Sequence, residues 1–120
     1  MAINIAATRI AQANSFTNLV TAISLHTASP GAGPTPANEV TGGSPAYARK
    51  TPSWGTATDN GAVATRTAAE LEFDVPMGTT VTHVGFLDAS GNLVDWADSA
   101  DIPFSSAQGK LRVTPKYTQS

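Results

Sequence analysis

The chain has 120 residues, 41% of them hydrophobic and 13% charged, with a formal net charge of −2. This length predicts a single domain over residues 1–120. Seven basic against nine acidic side chains give no basic stripe that would neutralise phosphates, so we expect no nucleic-acid binding. The absence of cysteine excludes disulfides, thiolate metal sites and cysteine nucleophiles. We expect neither a secretory signal nor a membrane-spanning segment, and therefore a protein that is soluble when made.

Large aliphatic and aromatic core residues are scarce. Ile, Leu, Val and Phe number 23, about 19% of the chain, because alanine supplies much of the hydrophobic fraction. A folded domain is still favoured, since disorder of this composition requires a high net charge as well. So thin a core indicates that other copies of the chain, or a partner, contribute to stability.

The N-terminal segment has the spacing of a short amphipathic helix, which we predict over residues 3–14. Asn4 is placed to cap it. The apolar positions recur at the helical period, at Ile3, Ala6, Ala7, Ile10 and Ala11.

Alternation over residues 19–27 predicts a first strand, and a long irregular loop follows over residues 28–46. Prolines stiffen this loop at Pro30, Pro34 and Pro36, and Asn38 and Glu39 form a short ordered element within it. Loops of this length in compact domains usually carry function. We therefore expect these five residues to contact neighbouring molecules.

Further short strands follow at a spacing of roughly ten residues, with turn signals between them. Seven such strands predict an all-β fold, an antiparallel β-sandwich with the short helix and the long loop added. The strands predicted after the loop cover residues 47–54, 63–67, 71–75, 81–87, 93–96 and 110–117.

The last of these strands alternates between a basic face, with Lys110 and Arg112, and an apolar face that includes Tyr117. Pro115 cannot donate a ladder hydrogen bond, which predicts an edge position. A free edge is available for pairing with another chain, so Lys110, Arg112, Pro115 and Tyr117 join the expected assembly interface.

Several side chains that can carry chemistry have a simpler interpretation. Glu70, Glu72 and Asp74 alternate along one strand, as paired carboxylates do in some glycosidases, but a solvated strand face is the favoured interpretation. His26 and His83 lie within predicted strands without a ligand set around them, so we interpret both as structural. We expect no enzyme, no cofactor and no metal site.

Two tryptophans are the strongest candidates for a small ligand. An exposed Trp54 or Trp96 would stack on a sugar ring, while the alternative is that both rings fill the thin core.

The charges are also segregated along the chain. An acidic stretch from Glu70 to Asp101 contains no Lys or Arg, and a basic stretch from Lys110 to Lys116 contains no acid. These stretches are complementary either between neighbouring copies or within one subunit, and the pattern leaves both open.

The ordered motifs of residues 23–31, 37–50 and 73–85, with Trp54-Gly55 between them, resemble a family of small tailed-bacteriophage proteins. Its members are labelled tail fibre or minor tail proteins of siphophages, often of actinobacterial hosts. The likeness covers about residues 3–96 and fades beyond Trp96. It implies a virion structural protein that acts by assembly contacts rather than catalysis, made in the host cytoplasm.

The resemblance implies other copies of the chain and other virion proteins as partners, with a location on the tail. The leading alternative is a capsid decoration protein, whose loop over residues 28–46 would contact the shell. A carbohydrate-binding adhesion module, which would hold a host-surface glycan, is the second alternative.

Overall fold

The computed structural model describes residues 3–120. Eight strands form three antiparallel sheets with the orders β1-β5-β6, β2-β3-β8 and β4-β7. The elements in chain order are α1 (Ala6–Leu19), β1 (Ala22–His26), β2 (Thr58–Asp59), β3 (Ala64–Thr67), β4 (Leu71–Val75), β5 (Thr79–Leu87), β6 (Leu93–Phe104), β7 (Gly109–Val113) and β8 (Lys116–Gln119).

One hydrophobic core lies between the β1-β5-β6 sheet and the β4-β7 sheet. Ile23 and Leu25 of β1 and Val81 of β5 contribute from the first sheet, and Phe73 and Val75 from the second, all without solvent exposure. This arrangement confirms the predicted all-β fold with a sandwich-like core and one short helix. The body measures 49 × 25 × 22 Å and has a radius of gyration of 15.3 Å. A compact chain of this length would have about 13.6 Å, so the molecule is elongated.

The helix lies later in the chain than predicted and buries a different stripe. It begins after Ile5 rather than Asn4 and continues to Leu19. Ala6 and Ala7 are exposed, whereas Arg9, Ala13 and Thr17 are buried.

Polar contacts account for this choice of helix face. The Arg9 guanidinium donates two hydrogen bonds, at 2.6 and 2.8 Å, to the carboxylate of Asp59 in β2. Thr17 Oγ1 donates to the carbonyl oxygen of Ala13. The alanine periodicity did not identify the buried face, because the Arg9–Asp59 ion pair and the stacking of Phe16 on Tyr117 dock this helix on the β2-β3-β8 sheet.

Residues 47–54 do not form the predicted strand. They run as extended chain with isolated bridges from Lys50 to Ile23 and from Trp54 to Ala68. The aromatic residues that suggested a strand instead pack against the core, where Tyr47 stacks on Phe73 at a centroid distance of 6.3 Å.

Strand β6 is much longer than the predicted 93–96 and runs to Phe104. Its pairing with β5 shifts register between Val81 and His83, so that residues 99–101 bulge opposite Thr82. Three aspartates whose spacing of three residues is typical of a polar turn lie in this bulged strand instead: Asp95, Asp98 and Asp101.

The predicted C-terminal strand is interrupted at Pro115. Residues before it pair with β4 and residues after it pair with β3, so one segment joins two sheets. Pro115 itself is buried, and its carbonyl oxygen accepts a hydrogen bond from Ala68 N–H at 2.9 Å. β8 is the outer strand of its sheet, in agreement with the edge position that the proline predicted.

The long loop is held against the sheet by buried hydrogen bonds. His26 is buried, with Nδ1 2.7 Å from the carbonyl oxygen of Ala37 and Nε2 2.7 Å from Ser24 Oγ. Val40 N–H donates to the carbonyl oxygen of Leu25. The loop therefore has a fixed path and presents defined side chains.

Candidate functional site

Two adjoining depressions share the side chain of Trp54. The first is a polar groove of about 460 Å³, lined by the end of α1, by the segment after Trp54 and by β3. The second is an aromatic cleft of about 270 Å³ between β8 and the β5-β6 hairpin. Trp54 is half-buried, and its indole Nε1 lies 3.4 Å from the carbonyl oxygen of Val20.

The polar groove is lined mainly by hydrogen-bonding groups. Asn14 and Asn18 come from the last turns of α1, Gly55 and Thr56 follow Trp54, and Arg66 comes from β3. The helix reaches this position because Arg9 and Thr17 fix it against the sheet.

Arg66 is held in the groove by three hydrogen bonds to neutral groups. Its Nε donates to the carbonyl oxygen of Gly55 at 2.7 Å, and Nη1 donates to Thr17 Oγ1 at 2.8 Å and Asn18 Oδ1 at 2.9 Å. The chain's other arginines, Arg9, Arg49 and Arg112, all pair with carboxylates. In the described part of the chain Arg66 has no such partner within 4 Å.

The aromatic cleft has an apolar floor and charged rims. Phe16 of α1 and Tyr117 of β8 stack with ring centroids 4.3 Å apart and planes 17° from parallel. Phe86 lines the cleft with them, and Asp95 and Lys116 carry its charges. The predicted interface residue Tyr117 thus serves first as part of an intramolecular stack.

Trp96 lines the aromatic cleft together with Trp54 but is not part of the polar groove. Phe86 pairs with Asp95 while the neighbouring Gly85 pairs with Trp96, which places the Trp96 side chain on the opposite face of the sheet from Phe86. There its indole Nε1 donates to the carbonyl oxygen of Gly31 at 3.0 Å, and its ring meets His83 edge-on at 5.2 Å. Trp96 thus holds the long loop against β6, and of the two tryptophans only Trp54 borders both depressions.

The loop residues predicted as an interface differ in exposure. Pro30 is fully buried and Pro36 half-buried, so only part of the proline series faces solvent. Pro34 is exposed, and its carbonyl oxygen accepts a hydrogen bond from Leu93 N–H of β6 at 2.7 Å. Asn38 is exposed and adopts a left-handed φ of 61°, with its amide donating to the carbonyl oxygen of Ser29.

Glu39 is engaged inside the chain. Its carboxylate accepts hydrogen bonds from Tyr47 and, bidentately, from Arg49 at 2.8 and 2.9 Å. Burial raises the pKa of Glu39, but these hydrogen bonds outweigh it and bring the pKa below its ordinary value. Burial likewise raises the pKa of Tyr47, which stays a phenol and bridges Glu39 to Leu25 N–H.

The segregated charges meet within the subunit. β4 and β7 pair with Asp74 opposite Lys110 and Glu72 opposite Arg112. Lys110 Nζ lies 2.7 Å from Asp74, and Arg112 Nε lies 3.3 Å from Glu72 and 3.9 Å from Glu70. This charge ladder is solvent-exposed, as the solvated-face interpretation of the carboxylates predicts. Lys110 and Arg112 remain at the surface with their charges balanced.

The histidines have structural partners. Burial lowers the pKa of His26, although its hydrogen bond to Ala37 opposes this. His83 Nε2 lies 2.8 Å from Asp98, and its Nδ1 lies 2.7 Å from Thr82 Oγ1. Across residues 3–120, no three His, Asp or Glu side chains converge as metal ligands would. The helix over Ala6–Leu19 is not of the length and apolarity needed to cross a membrane.

Comparison with known proteins gives the family. The model of the family described as "Podophage GP4 fiber I protein gp80" matches residues 5–110. The chain belongs to this family. It is therefore a phage structural protein of the fibre type, and the tail-fibre part of the resemblance is confirmed. The siphophage and actinobacterial attributes gain no support from this match. No curated protein and no solved structure matches the chain significantly.

Proposed function

We propose that this fibre-type protein is a non-catalytic tail component that assembles in several copies through the outer edge of β6. The observation that carries the proposal is the exposure of this strand: none of its 12 residues is buried, although the adjacent β5 and β1 contribute several core residues. A long strand with one unpaired edge presents a row of free N–H and C=O groups, which another chain can pair.

The long loop leaves only part of this edge free. Leu93 donates its N–H to the carbonyl oxygen of Pro34, and the Trp96 indole bonds to Gly31, so the loop covers the beginning of the strand. At the far end, the strand ends at Phe104, whose carbonyl oxygen accepts from Gly78 N–H on the side of β5. The free edge, which we define as residues 97–103, lies between the loop contacts and this end of the strand.

The bulge over residues 99–101 gives the free edge selectivity. Bulges interrupt the regular ladder and increase the local twist, which discourages indiscriminate strand pairing. A neighbour must follow this shape, and Asp98 and Asp101 require a partner surface that tolerates negative charge. A specific partner in the assembly satisfies these conditions better than a random aggregate.

The exposed residues of the predicted interface, Pro34, Asn38, Lys110 and Arg112, remain candidate contacts in this proposal. Pro30 and Pro115 would act indirectly, since both are buried and shape the backbone beside them. The charges of Lys110 and Arg112 are balanced by β4, so any contact there would depend on shape rather than on net attraction.

A single bulky substitution tests the free edge. Ala100 is exposed within the bulge, and Ala100→Arg adds a long side chain that blocks the approach of a neighbour without touching the core. Ala89→Arg, in the exposed turn after β5, is the matched control. The two variants are compared by light scattering and by incorporation into phage particles after complementation.

We expect the Ala100→Arg chain to fold and to lose both oligomer mass and incorporation, while the control keeps them. Equal incorporation of the two variants would exclude the free edge as the contact. Labelling of the control variant on intact particles distinguishes a location on the tail from one on the capsid. A label on the capsid surface would support the decoration alternative.

A further inference from the structure

The polar groove beside Trp54 presents hydrogen-bond donors without a matching acid. Its lining groups are Asn14, Asn18, Thr56, Arg66 and the Trp54 ring, together with backbone, and no carboxylate is among them. A groove with this lining favours a ligand that is rich in acceptors and carries negative charge.

Arg66 supplies the strongest of these donors. Nε and Nη1 are engaged by Gly55, Thr17 and Asn18, which fixes the plane of the guanidinium. Within residues 3–120, Nη2 has no hydrogen-bond partner, and no unpartnered side-chain nitrogen or oxygen there is buried, so Nη2 reaches solvent. A pre-oriented guanidinium edge is suited to a carboxylate or a phosphate.

The two asparagines extend this donor surface. Asn18 uses its Oδ1 to accept from Arg66, which leaves the two N–H groups of its Nδ2 for a ligand. In the described part of the chain, the side-chain amide of Asn14 makes no hydrogen bond, so it can both donate to and accept from a ligand. Hydroxyl groups of a sugar both donate and accept, so they match this amide.

The indole of Trp54 provides an apolar wall for the same groove. Its Nε1 is directed to the carbonyl oxygen of Val20, and this contact fixes the ring at the boundary between groove and cleft. A rigid indole beside amides and a guanidinium combines an apolar surface with directional donors. A sugar ring, which has an apolar C–H face and a polar rim, presents the complementary pair of surfaces.

We propose that this groove binds an anionic saccharide. The carboxylate or phosphate of the sugar accepts from Arg66 Nη2 and Asn18 Nδ2, while its ring lies against Trp54 and its hydroxyls bond Asn14. A volume of about 460 Å³ is within the range of small-ligand sites. The inference is independent of the assembly through β6, because the groove lies on α1, β3 and the segment after Trp54.

Binding to a glycan array tests the proposal with the full-length chain. The array carries neutral oligosaccharides and matched versions that bear uronic acids or phosphates. We expect retention on charged members only, with the uronate and phosphate arms showing which acid is used. Arg66→Gln should weaken binding about ten- to hundredfold, since a hydrogen bond to a charged group contributes a factor of that order.

Two further variants keep the test decisive if Arg66→Gln perturbs the fold. Asn14→Ala removes an amide without a structural partner and should weaken binding while leaving the melting temperature unchanged. Arg112→Gln removes a guanidinium outside the groove and should bind like the natural chain. Retention of neutral and charged glycans alike, no retention of any charged glycan, or full binding by Arg66→Gln and Asn14→Ala would overturn the assignment.

Discussion

Gly85 of β5 lies against the buried hydrogen bond that anchors the long loop. A Cβ atom added there would overlap Ser24 Oγ and stand 2.7 Å from His26 Nε2. These two atoms are hydrogen-bonded at 2.7 Å, and both side chains are fully buried. Gly85→Ala therefore forces apart Ser24 and His26, and with them the bond from His26 to Ala37 of the loop.

The loss of folding stability that Gly85→Ala causes has two parts. Overpacking a tight interior costs about 1–3 kcal/mol, and leaving a buried polar group unpaired costs a similar amount. A loss of about 3 kcal/mol lowers the melting temperature by about 12 °C, because the unfolding entropy of a domain of this length is about 0.25 kcal/mol/K. Circular dichroism melting of Gly85→Ala measures this shift, with the exposed Thr80→Ala on the same strand as a control that changes it little.

A double variant checks the mechanism. Ser24→Ala removes the oxygen that the new methyl group would meet, so Ser24→Ala with Gly85→Ala should lose less stability than the sum of the two single changes. Additive losses, or a Gly85→Ala variant as stable as the natural chain, would refute the packing described around His26.

Three further predictions concern the core, the charge ladder and pH. Phe73→Ala should destabilise the fold by about 3–5 kcal/mol in urea unfolding, because Phe73 is fully buried between the two sheets, and a loss below about 1 kcal/mol would contradict that position. Lys110→Gln and Arg112→Gln should each cost less than about 1 kcal/mol, because their ion pairs are exposed. Oligomer mass should then be insensitive to added salt, whereas dissociation in salt would place these charges between subunits. Burial lowers the pKa of His26 below 6.5, so the unfolded chain takes up a proton more readily. The stability that neutral His26 provides is complete above about pH 6.5 and is lost as the pH falls through the pKa of His26 in the folded chain. Urea unfolding at pH 7.5 and 5.5 measures this: the midpoint should fall at the lower pH in the natural chain and fall less in His26→Gln.

The fold class was predictable because the scarce apolar residues alternate along several strands. Leu71–Val75 was predicted with its observed bounds, and the hairpin between β5 and β6 was predicted in its correct place. Local alternation and turn residues determine such elements, and both are visible in the sequence.

Elements that depend on distant contacts were predicted less well. The helix face is set by the pairing of Arg9 with Asp59, 50 positions away, and no local periodicity reports such a pair. The C-terminal strand divides at Pro115 because the residues before it pair with β4 and those after it with β3, and these pairings are also non-local. The extended segment ending at Trp54 has strand-like residues but lacks a continuous partner.

The candidate site was only partly predictable for the same reason. Trp54 was predictable as a candidate because it is one of two tryptophans in the chain. Arg66 belongs to no sequence motif, and it becomes a candidate only through the three hydrogen bonds that orient it in the folded chain. The only sequence signal was a lone cation in a Thr-rich strand. Of the two depressions, Trp96 lines only the aromatic cleft, and its indole lies on the opposite face of the β1-β5-β6 sheet from Phe86, a placement that depends on the strand register.

Imaging of intact phage particles at side-chain resolution would show where the chain lies and what covers the outer edge of β6. We expect the chain in the tail fibres, in several copies, with a neighbouring chain covering residues 97–103 of β6. A position on the capsid surface, or tail-bound copies in which this edge faces solvent, would refute the proposed assembly.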